Sequence, residues 1–144
     1  MLKMEVIQKI QNYFFQKPEV VAVYLYGSQA RGEAKETSDI DLGVVLKGKK
    51  PDTTLAIPQV EFSQELTTHL DKKVEVQDLV SCSLEFSHRV LAEGKLLYSG
   101  EERKRIEFET TVIRKYFDMK QTFDEYYKNL SEIAQKGELH VRYF

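Results

Sequence analysis

Two carboxylates separated by one residue, Asp39 and Asp41, form the pair of side chains best suited to chemistry in this sequence. They begin a β-rich run that extends to residue 46, and side chains along a strand alternate between its faces. Both acids are therefore expected on one face, roughly 6.5–7 Å apart at Cα, with Ile40 and Leu42 on the other. Because the two acids repel each other, a divalent cation is favoured, and Mg²⁺ prefers carboxylates together with substrate phosphates.

A second motif, Gly27-Ser28, directly follows another β-rich run at residues 23–26. Glycine has no side chain, so the backbone can approach a ligand closely, and backbone amides with a hydroxyl can receive phosphate oxygens. Metal ions held by acids on a neighbouring strand can clamp the oxygens of an in-line phosphoryl displacement. The two motifs together predict a site for a metal and a nucleoside triphosphate.

Arg31 follows Ser28 by three residues and has two interpretations. Its planar guanidinium could hold a β- or γ-phosphate oxygen. It could equally form a structural ion pair with one of the acids nearby in sequence, which are Glu33, Asp39 and Asp41. The sequence leaves both open.

The rest of the chain predicts the elements that position these residues. Apolar residues at helical spacing predict helices over residues 2–17, 58–70 and 84–93. Alternation and β-rich composition predict strands over residues 20–26, 39–46, 73–79 and 95–98. On the third strand, Val74 and Val76 are expected on one face and Glu75 on the other.

The C-terminal part, from residue 101 on, predicts one long helix, with a shorter helix after it as an alternative. One face of this helix can pack on the sheet domain. Its apolar residues follow an approximate helical stripe: Ile106, Ile113, Tyr116 or Phe117, Phe123, Tyr127 and Leu130. The segment carries more aromatic residues than a small domain normally exposes, and aromatics are enriched at interfaces. It is either a partner surface or a second core layer.

Composition restricts the class of protein. A chain of 144 residues predicts one domain, here residues 1–99, with an extension at 100–144 that belongs to the same compact unit or binds a partner. A net charge of −2 without a basic stripe argues against direct nucleic-acid binding. The single cysteine, Cys82, excludes an internal disulfide framework and suits a reducing compartment. Without a long apolar run or a secretory signal, we expect a cytoplasmic protein that does not enter a membrane.

The string GSQARGEAKETSDIDLGV, with ten residues between Gly27-Ser28 and Asp39-Ile40-Asp41, resembles the GS-x10-DxD signature of nucleotidyltransferases similar to DNA polymerase β. More narrowly, it resembles the minimal nucleotidyltransferases of prokaryotes, over about residues 20–98. The resemblance implies an α+β fold in which helices flank a small mixed sheet. It also implies Mg²⁺ as cofactor and ATP as substrate. The implied nucleotide-binding residues are Gly27, Ser28 and Arg31, and the implied catalytic metal ligands are Asp39, Asp41 and a third acid on a following strand.

The position that matches the third acid is Glu75, in the string VEVQDL, where the resembled family usually carries aspartate. The longer glutamate is a departure from the family pattern. Asp78 is the competing candidate, although on a regular strand it faces away from Glu75.

The segment RIEFETTVIRKYFDMKQTFDEYY resembles the C-terminal part of minimal-nucleotidyltransferase antitoxins, which pair with a HEPN-domain ribonuclease toxin. The resemblance implies transfer of AMP to a tyrosine hydroxyl of that toxin, which silences it, and a possible homo- or hetero-oligomer. Two alternatives remain open at the level of sequence. The chain could mask the toxin without catalysis, or it could be a small-molecule nucleotidyltransferase.

Overall fold

A computed structural model describes residues 2–35, 38–48 and 57–137 of the chain. Within these ranges, five helices and four strands follow one another in the order α1 Met4–Phe15, β1 Val20–Tyr26, α2 Ser28–Arg31, β2 Ile40–Leu46, α3 Pro58–Leu70, β3 Val74–Asp78, α4 Leu84–Glu93, β4 Lys95–Ser99 and α5 Glu102–Gln135. The predicted α+β class and the predicted elements are confirmed. Residues 138–144 of the proposed extension lie outside the described residues.

The four strands form one mixed sheet in the order β3-β2-β1-β4. Strand β1 pairs antiparallel with both β2 and β4, whereas β2 pairs parallel with β3. A parallel pair needs a long crossover connection, and helix α3 lies within the segment that joins β2 to β3. The second strand, which carries the acid pair, is therefore central and has neighbours on both sides.

Each face of the sheet is covered by a different pair of helices. Helices α1 and α3 pack on one face around Phe14, Ile40 and Leu66, each of which is fully buried. Helices α4 and α5 cover the other face around Tyr24, Val45 and other side chains of a smaller core. The site residues belong to this second face, where the sheet is only partly covered.

Two hydroxyl groups of α3 protect the free edge of β3. The backbone N–H of Val74 donates to Oγ1 of Thr67 at 3.0 Å, and the N–H of Val76 donates to Oγ of Ser63 at 2.9 Å. An edge strand normally exposes such groups to other chains. These contacts also fix β3 against α3, and thereby hold Glu75 in position.

Helix α5 is continuous over 34 residues, so the alternative of a shorter second helix before Gln135 is wrong. The first part of the apolar stripe does not coincide with the buried face of the helix. Ile106 and Ile113 are 49% and 43% exposed, whereas Val112 is only 6% exposed. Neighbouring residues differ by about 100° around a helix, so the buried face is turned by roughly that angle.

A polar network joins the beginning of α5 to the sheet. The hydroxyl of Tyr24 donates to Oε1 of Glu109 at 2.6 Å, and Arg105 donates to the same carboxylate at 2.9 Å. Arg105 also pairs with Glu102, whose other oxygen accepts a hydrogen bond from Ser99 at 2.7 Å. Further along, the ring of Tyr116 stacks on His88 of α4 at 3.6 Å between centroids. These contacts anchor the first half of the helix.

None of the helices in the described ranges has both the length and the apolar character that a membrane crossing requires.

Candidate active site

The turn after β1 brings its backbone against an acid on β2. Gly27 has a φ of 74°, and a Cβ at this position would overlap Oδ2 of Asp41 and lie 3.3 Å from its Cγ. The carbonyl of Gly27 accepts hydrogen bonds from the N–H groups of Ala30 and Arg31, at 3.1 and 3.2 Å, and so starts the short helix α2. Only glycine satisfies both this positive φ, which is combined with a ψ of −155°, and the close approach.

Three acids lie on the same face of the sheet, away from α1 and α3. Asp41 pairs in register with Tyr26 on one side and with Glu75 on the other. Asp39 immediately precedes β2, where the N–H of Ile40 donates to the carbonyl of Lys73 at 3.0 Å. The side chains of Ile40 and Leu42 are buried in the opposite core. The predicted alternation of the second strand is confirmed.

The acids interact with one another electrostatically. The pKa of Asp41 is raised above its ordinary value of 3.8, first by burial and then by the charges of Glu75 and Asp39. Arg31 and Lys73 act in the opposite direction and lower it. Ionised Asp41 is thus destabilised here, and a cation placed among these carboxylates would relieve the repulsion.

Lys73 is the cation that contacts two of the acids. Its Nζ lies 3.3 Å from Oε1 of Glu75 and 3.9 Å from Oδ2 of Asp39. The hydrogen bond to Glu75 is the main reason that the pKa of Lys73 is raised. As the side chains are placed, no three acidic, histidine or cysteine residues among those described are close enough to hold a metal ion. A site made only of hard carboxylate oxygens nevertheless has the chemistry that Mg²⁺ prefers.

The two remaining sequence candidates are resolved differently. Nε of Arg31 lies 3.1 Å from Oε2 of Glu33, so its guanidinium forms the ion pair that was one of its two interpretations. A contact between Arg31 and a phosphate stays a prediction.

Asp78 instead closes the turn after β3. Its carboxylate accepts hydrogen bonds from the N–H of Val80 at 3.0 Å and from Oγ of Ser81 at 2.9 Å. In the parallel register Asp78 lies beside Val44, whereas Glu75 lies beside Asp41. The geometry therefore favours Glu75 as the third acid.

Sequence reasoning missed Tyr26, the residue that precedes Gly27. Its ring lies edge-to-face with Phe86 at 5.4 Å, next to Asp41 in the sheet. Burial, followed by the charges of Asp41, Cys82 and Glu75, raises its pKa to about 12. Its place as the last residue of β1, directly before the glycine turn, was visible in the sequence. That it lies beside Asp41 depends on the register of β1 with β2, which the sequence did not show.

The family model described as polymerase beta, nucleotidyltransferase, matches residues 8–103. The chain therefore belongs to the polymerase β nucleotidyltransferase family, as the GS-x10-DxD motif indicated. It is 29% identical over 125 residues to the protein adenylyltransferase MntA of Shewanella oneidensis, which covers 84% of this chain and 86% of that protein.

Two crystal structures share the fold over nearly their whole length. A toxin–antitoxin with AMP-PNP matches with a TM-score of 0.65 and 27% identity, over 90% of this chain and 99% of that one. The toxin–antitoxin MntA-HepT matches with a TM-score of 0.63 and 25% identity, over 90% and 99% of the two chains. The similarity thus extends beyond the family domain into α5.

Proposed function

We propose that this chain is an antitoxin that transfers AMP from ATP to a tyrosine hydroxyl of a HEPN-domain toxin and thereby neutralises it. The observation that carries the proposal is the Gly27 backbone against Asp41, with Glu75 in register beside that acid. Membership in a nucleotidyltransferase family supports the reaction. Similarity to a protein adenylyltransferase supports a protein acceptor, and similarity to a toxin–antitoxin with AMP-PNP supports ATP as the donor.

The triphosphate of ATP would lie along the Gly27-Ser28 turn. Since Gly27 has no side chain, a phosphate oxygen can reach the backbone amides and the Ser28 hydroxyl. Arg31 would contribute a guanidinium to the β- or γ-phosphate by giving up its exposed ion pair with Glu33, which costs little at a solvated position.

The carboxylates fit a divalent cation, because they repel one another and consist only of hard oxygen donors. Asp39 and Asp41 would hold Mg²⁺, and Glu75 would complete its ligands. When bound, such an ion neutralises phosphate charge and orders the triphosphate.

Transfer requires a nucleophile that has lost its proton. A tyrosine hydroxyl has an ordinary pKa of about 10, so a carboxylate within reach has to accept its proton as the oxygen attacks. We assign this role to Glu75, the more exposed of the two facing acids. The tyrosine oxygen bonds to the α-phosphorus, the bond from that phosphorus to the bridging oxygen breaks, and pyrophosphate leaves. The proposal places the reaction in the cytoplasm, where ATP is available and a lone cysteine stays reduced.

Non-catalytic masking of the toxin is the second candidate, and the exposed aromatic side chains of α5 favour it. The two candidates differ in stoichiometry. An enzyme supplied with ATP and Mg²⁺ protects an excess of toxin, whereas a masking protein protects only an equal amount.

The experiment incubates a small amount of this chain with Mg²⁺, α-labelled ATP and an excess of the toxin, which is the HEPN-domain protein encoded by the neighbouring gene. The label on the toxin and its intact mass are then measured. We expect adenylyl groups on the toxin, and none when Asp39→Asn is combined with Asp41→Asn. The matched control combines Asp118→Asn with Asp124→Asn on the exposed part of α5 and should transfer normally. Label transfer by the variant of the acid pair would refute the assigned site. Protection only at equal amounts would favour masking.

A further inference from the structure

Seven side chains of α5 follow the period of a coiled coil. Their spacing alternates between four and three residues without interruption, and we name them the α5 seam: Val112, Tyr116, Met119, Phe123, Tyr126, Leu130 and Ile133. A 3.5-residue repeat places all seven along one line of a helix and is the pattern that receives a second helix by interdigitation.

The seam begins inside the protein and then leaves it. Val112 is buried, and Tyr116 stacks on His88 of α4. Beyond these residues, Phe123 and Tyr126 are 50% and 57% exposed. Within the described part of the chain, α5 packs mainly on α4 and β1. The contacts at Phe108, Glu109 and Tyr116 lie in its first half. The face of α5 that packs on the domain thus continues for about two heptads beyond it, where its apolar side chains are largely exposed to solvent.

The residues that flank the seam carry positive charge and no acid. Lys115, Lys120 and Lys136 lie at flanking positions, and the other flanking residues from 113 to 136 are uncharged. The acids of this region lie on the outer positions of the helix, at Asp118, Asp124, Glu125 and Glu132. Flanking charges determine which helices pair in a coiled coil. In a parallel pair of two copies of this chain, Lys115 would face Lys120 of the other copy, which disfavours self-association.

We propose that the exposed part of the α5 seam binds an amphipathic helix of the toxin, one that carries acidic residues beside its own apolar stripe. The choice of the toxin as partner rests on the proposed function; the helical form and the acidic flanks follow from α5 alone. A partner held on α5 would be presented to the same domain that holds Asp41, which raises the effective concentration of its tyrosine at the site.

The test measures binding of this chain of 144 residues to the unmodified HEPN-domain protein encoded by the neighbouring gene, without ATP or Mg²⁺, by calorimetry or sedimentation. Phe123→Ala with Tyr126→Ala should weaken binding by about tenfold or more, because buried aromatic residues dominate helix interfaces. The matched control is Phe117→Ala, at 57% exposure on the same helix but off the seam, and it should bind normally. Circular dichroism verifies that each variant keeps its helix content.

A charge reversal tests the flanks separately. Lys120→Glu with Lys136→Glu should weaken binding at low salt, and added salt should no longer weaken it, since attraction to acidic flanks would become repulsion. Arg114→Glu with Lys128→Glu makes the same charge change at outer positions and should have a much smaller effect.

Three outcomes would overturn the inference: unchanged binding by the seam variants, loss of binding by Phe117→Ala alone, or a dimer of the wild-type chain that the seam variants dissociate. Asp39→Asn with Asp41→Asn should bind the toxin normally while failing to transfer label. Failure of docking and failure of the enzymatic proposal are therefore measured by different variants and different readouts.

Discussion

The backbone of Gly27 and the carboxylate of Asp41 occupy adjoining space, so that a single added carbon on the glycine would overlap Oδ2 of the acid. One residue belongs to the turn after β1 and the other to β2, and antiparallel pairing of Tyr26 with Asp41 brings them together. The two halves of the GS-x10-DxD motif are therefore in direct contact. Because a substitution in one half can displace the other, each variant needs a matched control.

The first prediction concerns this contact. Gly27→Ala should lower the free energy of unfolding by about 2–4 kcal/mol, because it combines left-handed backbone strain with displacement of the Asp41 side chain. Label transfer to the toxin should be lost as well. Denaturant unfolding and the transfer assay measure the two effects.

Gly32→Ala is the control for a positive φ in an ordinary left-handed turn, since Gly32 has a φ of 73° and a ψ of 16° with open space at its Cβ position. Gly27 has a ψ of −155°, a region that only glycine adopts readily, so its own backbone cost is larger. It should cost only the backbone term, about 1–2 kcal/mol, and retain most of the activity. Equal losses in the two variants would show that the contact with Asp41 has no importance.

The second prediction concerns the pH dependence of stability. Because the folded protein raises the pKa of Asp41 above 3.8, folding favours the protonated acid, and stability falls as pH rises from the ordinary pKa through the raised one. Asp41→Asn should therefore raise Tm at neutral pH, and give no gain well below pH 3.8, where the wild-type acid is protonated.

Asp39→Asn removes an exposed acid paired with Lys73 and should not stabilise the protein. Scanning calorimetry at the two pH values distinguishes the variants. In the same experiment, Mg²⁺ with an ATP analogue should raise the Tm of wild type but not of Asp41→Asn. A destabilised Asp41→Asn at neutral pH would contradict the argument.

The third prediction separates Glu75 from Asp78. Glu75→Ala should reduce transfer by about 100-fold or more, since it removes the carboxylate beside Asp41, and should leave stability within about 0.5 kcal/mol. Asp78→Ala should show the opposite behaviour. It removes the two hydrogen bonds that close the turn after β3, at a cost of about 1–3 kcal/mol, while transfer persists. Activity that depends on Asp78 and not on Glu75 would reverse the assignment.

The fourth prediction concerns the anchor of α5. Tyr24→Phe keeps the ring and removes the hydroxyl that donates to Glu109, so we expect a loss of about 1–3 kcal/mol of stability. Tyr13→Phe removes a comparable hydrogen bond to Glu65 at a more exposed position, and should cost less than about 1 kcal/mol. Denaturant unfolding compares the two. A larger loss of stability in Tyr13→Phe than in Tyr24→Phe would mean that the polar network around Arg105 contributes little to the free energy of unfolding.

The local sequence pattern was sufficient to predict most of the helices and strands and to recognise the GS-x10-DxD motif. Helices α3 and α4 have the bounds that apolar spacing, Pro58 and Gly94 predict. The alternation of the second strand placed Asp39 and Asp41 opposite Ile40 and Leu42, because that relation depends only on adjacent residues. The GS-x10-DxD spacing indicated the family, and the match over residues 8–103 confirms it.

Tertiary structure decided what depends on pairing between distant segments. The register of β2 with β3 puts Glu75, and not Asp78, beside Asp41, and the register with β1 adds Tyr26. The buried face of α5 was also undecided, because apolar residues stand on two sides of that helix and only packing on α4 and the sheet selects Val112 over Ile113. Sequence thus determined the elements and the chemical groups. Contacts between residues far apart along the chain determined which of those groups meet. The energies of strand pairing and helix packing depend on both partner segments, and the pattern within one segment does not contain the other.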